Sequence, residues 1–155
     1  PLPLVKEDGQ WQWARAPLSG RFITSVDGSP HAAQAAGLQD VLSLGTATRA
    51  ARVRIDLAMG LVASSKEGRG PSNEVIIEIT GTQKNGTSGR FRYELIDPEG
   101  YAAMSARGAA VAIETLLGLA GRDRPEKGLF LPETLVDPAH LVKRLEGYGV
   151  TVRAA

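Results

Sequence analysis

The amino-acid sequence predicts an α+β fold, in which helices pack on a mainly antiparallel or mixed β-sheet. Three observations predict it. Segments in which apolar and polar residues alternate stand between helical segments. An Asn-Gly pair, which tolerates positive φ, marks a hairpin turn between two of the alternating segments. Three pairs of a side-chain acceptor and a proline are typical of helix starts: Ser29-Pro30, Asp97-Pro98 and Asp137-Pro138.

Each acceptor-proline pair predicts one helix. The first helix is expected from His31 to about Leu44, with small apolar residues on one face. The second and longest is expected from about Glu99 to Leu119, with Gly121 as a left-handed C-terminal cap. Its composition is rich in alanine and glycine, so we expect another backbone to lie very close to it. The third is expected from about Ala139 to Glu146 and ends at Gly147.

Strands are predicted between these helices. Alternation over 52–59 predicts one strand, and alternation over 74–80 and 90–95 predicts two strands that pair antiparallel as a hairpin. The outer face of this hairpin sets Glu78 among Arg90, Arg92 and Glu94, a charge ladder better suited to solubility than to catalysis. Weaker signals predict three further strands: 21–26, 128–131 and 149–152.

Composition limits the classes of protein to which the chain can belong. Its 155 residues, of which 43% are hydrophobic, are enough for one domain with a core, so we expect a single domain over 1–155. Eighteen basic against seventeen acidic residues give a net charge of +1, which argues against a nucleic-acid partner. The absence of cysteine excludes disulfides, thiolate catalysis and cysteine-ligated metals, and it fits a reducing compartment.

Targeting signals are also missing from the printed residues. None of the apolar runs approaches the ~18 residues that a membrane span needs, so we expect no membrane association and a cytoplasmic protein. The chain starts at Pro1 rather than at a methionine. We therefore expect it to be a piece of a longer polypeptide.

Two glycine-rich segments resemble phosphate-binding loops but depart from them. Residues 81–88 have the spacing of a Walker loop, yet Thr87 stands where the phosphate-binding lysine is required, and a strand follows. Residues 68–73 begin like a dinucleotide fingerprint, yet they lack its third glycine and contain Pro71. The sequence therefore predicts a hairpin and a loop here, and contains no Rossmann unit.

The loop 64–69 is the first candidate site. It carries two hydroxyls, Lys66 and Arg69, which with its glycine could form a backbone nest for a carboxylate or a phosphate. A solvated loop is the other interpretation. The histidines, His31 and His140, follow helix starts without a visible acid–base partner, and we interpret both as structural.

The second candidate site lies at the start of the longest predicted helix. Asp97, Glu99 and Tyr101 cluster there, where free backbone N–H groups favour anions. In the alternative interpretation Asp97 caps the helix and Tyr101 packs. We predict neither catalytic residues nor metal ligands from the sequence.

A resemblance to a known family rests on motifs in the second half of the chain. They are, in order, the strand-and-helix-start motif 93–104, an alanine-rich helix, 128–133 (GLFLPE) and 141–150 (LVKRLEGYGV). In this order they resemble the C-terminal domain of the saccharopine dehydrogenase family, over roughly 75–152. The first sixty residues match nothing in that family.

The resemblance implies a two-part oxidoreductase. An N-terminal Rossmann domain, absent from this chain, binds NAD or NADP. The C-terminal domain shapes the substrate cleft, mediates homodimerisation and is inactive and cofactor-free by itself. The resemblance implies that Glu99 and Tyr101 help to hold a small carboxylate or amino-acid-like substrate, and chemistry alone adds Lys66 and Arg69. The alternatives are a non-catalytic dimerisation module, favoured by the small-residue helix, and a small-ligand-binding module.

Overall fold

A computed structural model gives the conformation of most of the chain. The residues it describes are 2–60, 62–66, 68, 70–119, 121 and 123–155. Helices and open antiparallel sheets both occur, which confirms the predicted α+β class. The chain divides into two compact units, Pro1–Gly60 and Leu61–Ala155, and each is described by itself. The expectation of a single domain stays a prediction.

The first unit consists mainly of short strands. In chain order its described elements are β1 (Leu4–Glu7), β2 (Gln10–Trp13), β3 (Gly20–Thr24), β4 (Pro30–Ala35), α1 (Asp40–Ala47) and β5 (Asp56–Leu57). Strands β1 and β2 form a hairpin, while β3, β4 and β5 form an antiparallel sheet in that order. Val5, Ala14, Ala33 and Val41 are buried and form its core.

The helix predicted over 31–44 is wrong in its first half, which forms β4 instead. The backbone reverses at Asp27-Gly28, where Gly28 has a φ of 81°, and residues 30–34 of β4 then pair with β3. The Asp27 carboxylate accepts the Ser29 backbone N–H at 2.9 Å and closes this turn. An Asp-Gly hairpin turn thus outweighs the Ser-Pro helix start, and the helix begins only at Asp40.

The strand predicted over 52–59 is reduced to β5. Val53 pairs with Lys6 of β1 in an isolated bridge, whereas β5 pairs with β4. The segment therefore passes from one sheet to the other, and its alternating residues face two different partners. The Arg54 guanidinium, which lies between them in sequence, donates to Asp56 at 2.7 Å.

The second unit combines a three-stranded sheet with helices. In chain order its described elements are α2 (Ala63–Lys66), β6 (Asn73–Thr82), β7 (Ser88–Asp97), α3 (Tyr101–Leu117), α4 (Pro132–Leu135), α5 (Pro138–Gly147) and β8 (Thr151–Ala154). The sheet has the order β6-β7-β8, and both pairs are antiparallel. The predicted hairpin is confirmed, with Gly86 at a φ of 87° in its turn.

The charge ladder on the hairpin also forms, but Glu94 is 2% exposed, so the ladder is partly buried and not a solvated outer face as predicted. Glu78 pairs with Arg90 and Arg92, and Glu94 pairs with Arg92 and with Arg153 of β8. Burial favours the neutral form of both glutamates, but the arginine hydrogen bonds and charges outweigh it and lower the pKa of Glu78 and Glu94. The ladder therefore ties the three strands together on one face of the sheet.

The long alanine-rich helix is confirmed as α3, but its ends differ from the prediction. It begins at Tyr101 and ends at Leu117, and Gly118, with a left-handed φ of 68°, is the C-terminal cap in place of Gly121. None of the described atoms lies within 4 Å of a Cβ added at Gly108, so the expected close backbone is not found at that residue. The third predicted helix is confirmed as α5, where the Asp137 carboxylate accepts the His140 backbone N–H at 2.8 Å.

Two weaker strand predictions have different outcomes. The strand predicted over 149–152 is present as β8, displaced by two residues. The edge strand predicted over 128–131 is wrong, because Leu131 is extended only as the residue that precedes α4, with Pro132 in the first turn of that helix. Among the described residues no helix is long and apolar enough to cross a membrane.

Helix α3 contacts β7, α4 and α5, and the buried hydrophobic residues of this unit, among those described, are Val111, Val136, Leu145 and Val150. Three polar residues, Glu114, Arg144 and Tyr148, are joined by hydrogen bonds that link α3 to α5, and we name them the polar clamp. The Arg144 guanidinium donates to both oxygens of Glu114, at 2.9 and 2.6 Å, and stacks on the Tyr148 ring. The hydrogen bond from Arg144 lowers the pKa of Glu114, so the clamp stays ionised at neutral pH.

Candidate functional site

Both sequence-predicted site regions lie at the same end of the hairpin. Asn73, the first residue of β6, pairs with Asp97, the last residue of β7. The Pro71 carbonyl oxygen lies 3.1 Å from the position of a Cβ added at Gly100. Pro71, two residues before β6, therefore lies against residues 97–101, which we name the Asp97 turn.

Asp97 anchors this turn from inside the protein. Its side chain is fully buried, and one carboxylate oxygen accepts the Glu99 backbone N–H at 2.9 Å. The other oxygen forms an ion pair with Arg107 of α3, whose side chain is 12% exposed and whose guanidinium also pairs with Glu99 at 2.8 Å. The hydrogen bond with Asp97 raises the pKa of Arg107, although burial opposes this. The pair therefore fixes the turn to the helix that follows it.

Glycine is required at the centre of the Asp97 turn. Gly100 has a φ of 91°, a conformation that residues with a Cβ rarely adopt. The same residue faces the Pro71 carbonyl, where a side chain would be in close contact. The Gly100 N–H bonds back to the Asp97 carbonyl at 3.2 Å, and α3 begins at the next residue. The backbone conformation of the Asp97 turn thus determines where the side chains of Glu99 and Tyr101 lie.

The loop between α2 and β6 is organised around a buried hydroxyl. Ser64 is 7% exposed, and its Oγ donates to the Gly70 carbonyl at 2.8 Å while accepting the Ser72 backbone N–H at 2.9 Å. The Ser72 hydroxyl lies 3.1 Å from a Glu74 carboxylate oxygen. These hydrogen bonds tie Ser64 to Gly70 and Ser72, which the interpretation as a solvated loop does not require.

The structure describes three of the four predicted site residues. Glu99 and Tyr101 lie together on the Asp97 turn, with the Glu99 side chain 68% exposed and Tyr101 77% exposed. Tyr101 therefore does not pack in the core, contrary to one of the two interpretations of the sequence. Lys66 is exposed at the end of α2, two residues after Ser64. Arg69 lies outside the described residues, so its proposed role beside Lys66 stays a prediction.

Sequence reasoning missed Arg107, the partner of Asp97. A signal was present, because Arg107 is the only charged residue between Tyr101 and Ile113 in an otherwise small and apolar stretch. An isolated guanidinium in such a helix indicates a carboxylate partner nearby. The structural role of Ser64 carried no comparable signal, since a serine in a polar loop is usually exposed.

The Asp97 turn offers a small set of polar groups to a ligand. They are the Glu99 carboxylate, the Tyr101 hydroxyl and the backbone at the start of α3. Within the part of the chain that is described, no group of three or more His, Cys, Asp or Glu side chains could hold a metal ion. The arrangement suits hydrogen bonding and charge pairing with a small polar molecule.

Comparisons with known proteins add nothing to this description. No family model, curated protein or solved structure matches the chain. The resemblance to the saccharopine dehydrogenase family therefore stays a prediction. The fold class rests on the elements described above.

We expect Ser64→Ala to lower the free energy of unfolding by about 1–3 kcal/mol, because it removes the hydroxyl partner of a buried N–H group. Urea denaturation of the purified chain measures this. Ser105→Ala, at an exposed position of α3, is the control and should change stability by less than ~0.5 kcal/mol. Equal stability of the two variants would contradict a stabilising role for the hydrogen bonds of Ser64.

Proposed function

We propose that this chain is the C-terminal, substrate-cleft and dimerisation domain of a saccharopine dehydrogenase-like oxidoreductase that uses NAD or NADP. In this proposal a Rossmann domain elsewhere in the same polypeptide binds the dinucleotide, and the hydride passes to or from the substrate in a cleft between the two domains. The chain itself holds no cofactor and is inactive alone. The proposed location of the enzyme is the cytoplasm.

The observation that carries the proposal is the geometry of the Asp97 turn. The motif Asp97-Pro98-Glu99-Gly100-Tyr101 is central to the family resemblance, and here a buried ion pair holds it in place while Glu99 and Tyr101 remain exposed. Binding groups supported by buried partners are held in a defined geometry before the ligand arrives. Such support is what a substrate-binding edge of a cleft requires.

The proposed substrate is a small carboxylate or an amino-acid-like molecule. The Glu99 carboxylate can pair with a substrate ammonium group, and the Tyr101 hydroxyl can donate to a carboxylate or a carbonyl. Backbone N–H groups at the start of α3 favour a negative group at the same place. Lys66 and Arg69 are further candidates for the substrate carboxylate because of their charge.

The proposal predicts a kinetic effect for Tyr101→Phe in the full-length protein. Loss of one hydrogen bond to the substrate should lower kcat/KM by roughly tenfold, since such a bond contributes about 1–1.5 kcal/mol. The melting temperature should stay unchanged because the side chain is 77% exposed. Ser105→Ala is the matched control on the same helix. A loss of activity that follows a loss of stability would contradict a binding role for Tyr101.

A second candidate function is a dimerisation module in an enzyme whose other domain carries all the chemistry. The observation that favours it is the exposure of apolar side chains on β6, where Val75, Ile77 and Ile79 are 38, 43 and 52% exposed. Kinetics separate the two candidates. A dimerisation module predicts that Glu99→Gln and Tyr101→Phe leave substrate turnover unchanged.

A further inference from the structure

Strand β6 forms an edge of its sheet over ten residues. In the described sheets, β7 is the only strand paired with it. Long exposed edges with apolar side chains readily pair with another strand, and proteins usually protect them with charges, proline or bulges. Between Val75 and Ile79, β6 carries no proline, its register with β7 is continuous, and its one charged residue is Glu78, which pairs with Arg90 and Arg92 of β7.

The hydrogen bonds of the hairpin define which backbone groups face outward. The Gln83 N–H donates to the Thr87 carbonyl, so this pair is hydrogen-bonded and, in a continuous antiparallel register, so is every second pair along β6. The odd-numbered residues of β6 therefore bond to β7. The even-numbered ones, among them Ile76, Glu78 and Thr80, direct N–H and C=O away from β7, toward the free edge.

The side chains of β6 restrict how it could pair with itself. Directly opposite residues share a face, so a two-fold axis must pass through a residue position rather than between two residues. An axis at Glu78 would set that carboxylate opposite its own copy, and an axis at Ile76 would set Glu74 opposite Glu78. Like charges directly opposite each other are unfavourable.

An axis at Ile77 avoids both conflicts. It places Ile77 opposite its own copy and Val75 opposite Ile79 of the second copy, while Glu78 faces Ile76 and Glu74 faces Thr80. The exposed apolar side chains then pair with one another, and Ile76 and Glu78 exchange backbone hydrogen bonds across the edge. Charge and hydrophobic pattern therefore favour the same register.

We infer that β6 is the surface through which two copies of this chain associate, as an antiparallel pair of β6 strands with its two-fold axis at Ile77. The paired sheets form one continuous six-stranded sheet. This inference rests on the dimerising role in the proposed function and gives that role its surface and register.

Single cysteines test the register cleanly, because residues 1–155 contain none and any cysteine elsewhere in the full-length polypeptide can be replaced by serine. Opposite residues at Ile77 form a non-hydrogen-bonded pair with Cα atoms about 4.5 Å apart, a separation that a disulfide can span. Under mild oxidation, full-length Ile77→Cys should therefore convert to a covalent dimer. Thr80→Cys, on the same edge, is the matched control, since its two copies would be about 20 Å apart in this register. It should stay uncross-linked.

A mixture of two variants tests the register independently. Val75→Cys and Ile79→Cys should each remain uncross-linked alone but should form a disulfide with each other when mixed. Ile77→Lys sets two ammonium groups opposite each other and should give a monomer in sedimentation velocity with an unchanged circular dichroism spectrum. Any other β6 register fails to produce this combination of cross-links.

The outcomes separate this inference from the proposed function. Cross-linking at Ile77 and in the mixture, together with a monomeric Ile77→Lys, supports the inference. A wild-type dimer whose cysteine variants fail to cross-link overturns the β6 pairing but leaves the dimerising role. A wild-type monomer overturns both the β6 pairing and the dimerising role. Failure of the full-length protein to bind NADH or NADPH overturns the oxidoreductase proposal and leaves the β6 pairing in place.

Discussion

Asp97→Asn should lower the free energy of unfolding by about 3 kcal/mol, the largest single effect that we expect in this chain. The substitution keeps the size of the side chain and an acceptor for the Glu99 N–H. It removes the negative charge that faces Arg107, whose side chain is only 12% exposed. A nearly buried cation that keeps only the exposed carboxylate of Glu99 as its partner is costly, because the protein cannot replace the hydration that the guanidinium lost on folding. Urea denaturation at neutral pH measures the difference.

Glu99→Gln is the matched control, because Glu99 meets the same guanidinium from the surface. Its side chain is 68% exposed, so its ion pair is screened and its loss should cost no more than ~1 kcal/mol. Combining Asp97→Asn with Arg107→Met should cost less than the sum of the single substitutions, since both charges are then absent. An Asp97→Asn variant as stable as Glu99→Gln would contradict the anchoring role of Asp97.

Glu94→Gln should lower the free energy of unfolding by about 2 kcal/mol. Glu94 is 2% exposed in the central strand β7 and accepts from Arg92 of the same strand and from Arg153 of β8, at 2.8 and 2.7 Å. A neutral amide cannot accept two charge-assisted hydrogen bonds on both of its terminal atoms. Glu146→Gln, at an exposed position of α5, is the control and should be close to wild type in urea denaturation.

The same residue should shape the acid stability of the chain. The arginines lower the pKa of Glu94 and of Glu78 from the ordinary value of 4.5. Their stabilising contribution is therefore complete above pH 4.5 and is lost as the pH falls through the lowered values of the folded state. The wild type should lose stability on acidification below pH 4.5, and Glu94→Gln should lose less. An equal loss in both proteins would contradict the assigned role of Glu94.

The parts of the fold that the sequence predicted correctly are determined by neighbours along the chain. The Asn-Gly turn sets the hairpin register, and that register brings Glu78 to Arg90 and Arg92. In the same way Asp137 caps α5 three residues ahead of His140. These features need no knowledge of distant contacts.

The incorrect predictions concern segments with competing local signals. Residues 30–35 combine an acceptor-proline pair with an Asp-Gly turn just before it, and pairing with β3 decides in favour of the strand. Residues 52–59 alternate like one strand but serve two sheets. In both cases long-range strand pairing decides the structure, and periodicity along the chain does not contain that information.

The candidate site was predicted only in part, because one of its residues is brought to the site by the arrangement of the next element and not by a local motif. Glu99 and Tyr101 were found because the helix-start motif is local, whereas Arg107 lies ten residues from Asp97 on the next element. Its ion pair depends on the angle at which α3 leaves the turn. The conformation at Gly100 sets this angle, and the sequence motif alone does not give it.

Dinucleotide binding tests the oxidoreductase proposal most directly. The full-length polypeptide that contains this chain should be titrated into NADH and NADPH while cofactor fluorescence is recorded, with residues 1–155 alone as the control. We predict that one of the two dinucleotides binds the full-length protein and that neither binds the isolated chain. Failure of the full-length protein to bind either dinucleotide, or binding by the isolated chain, would contradict the proposed function.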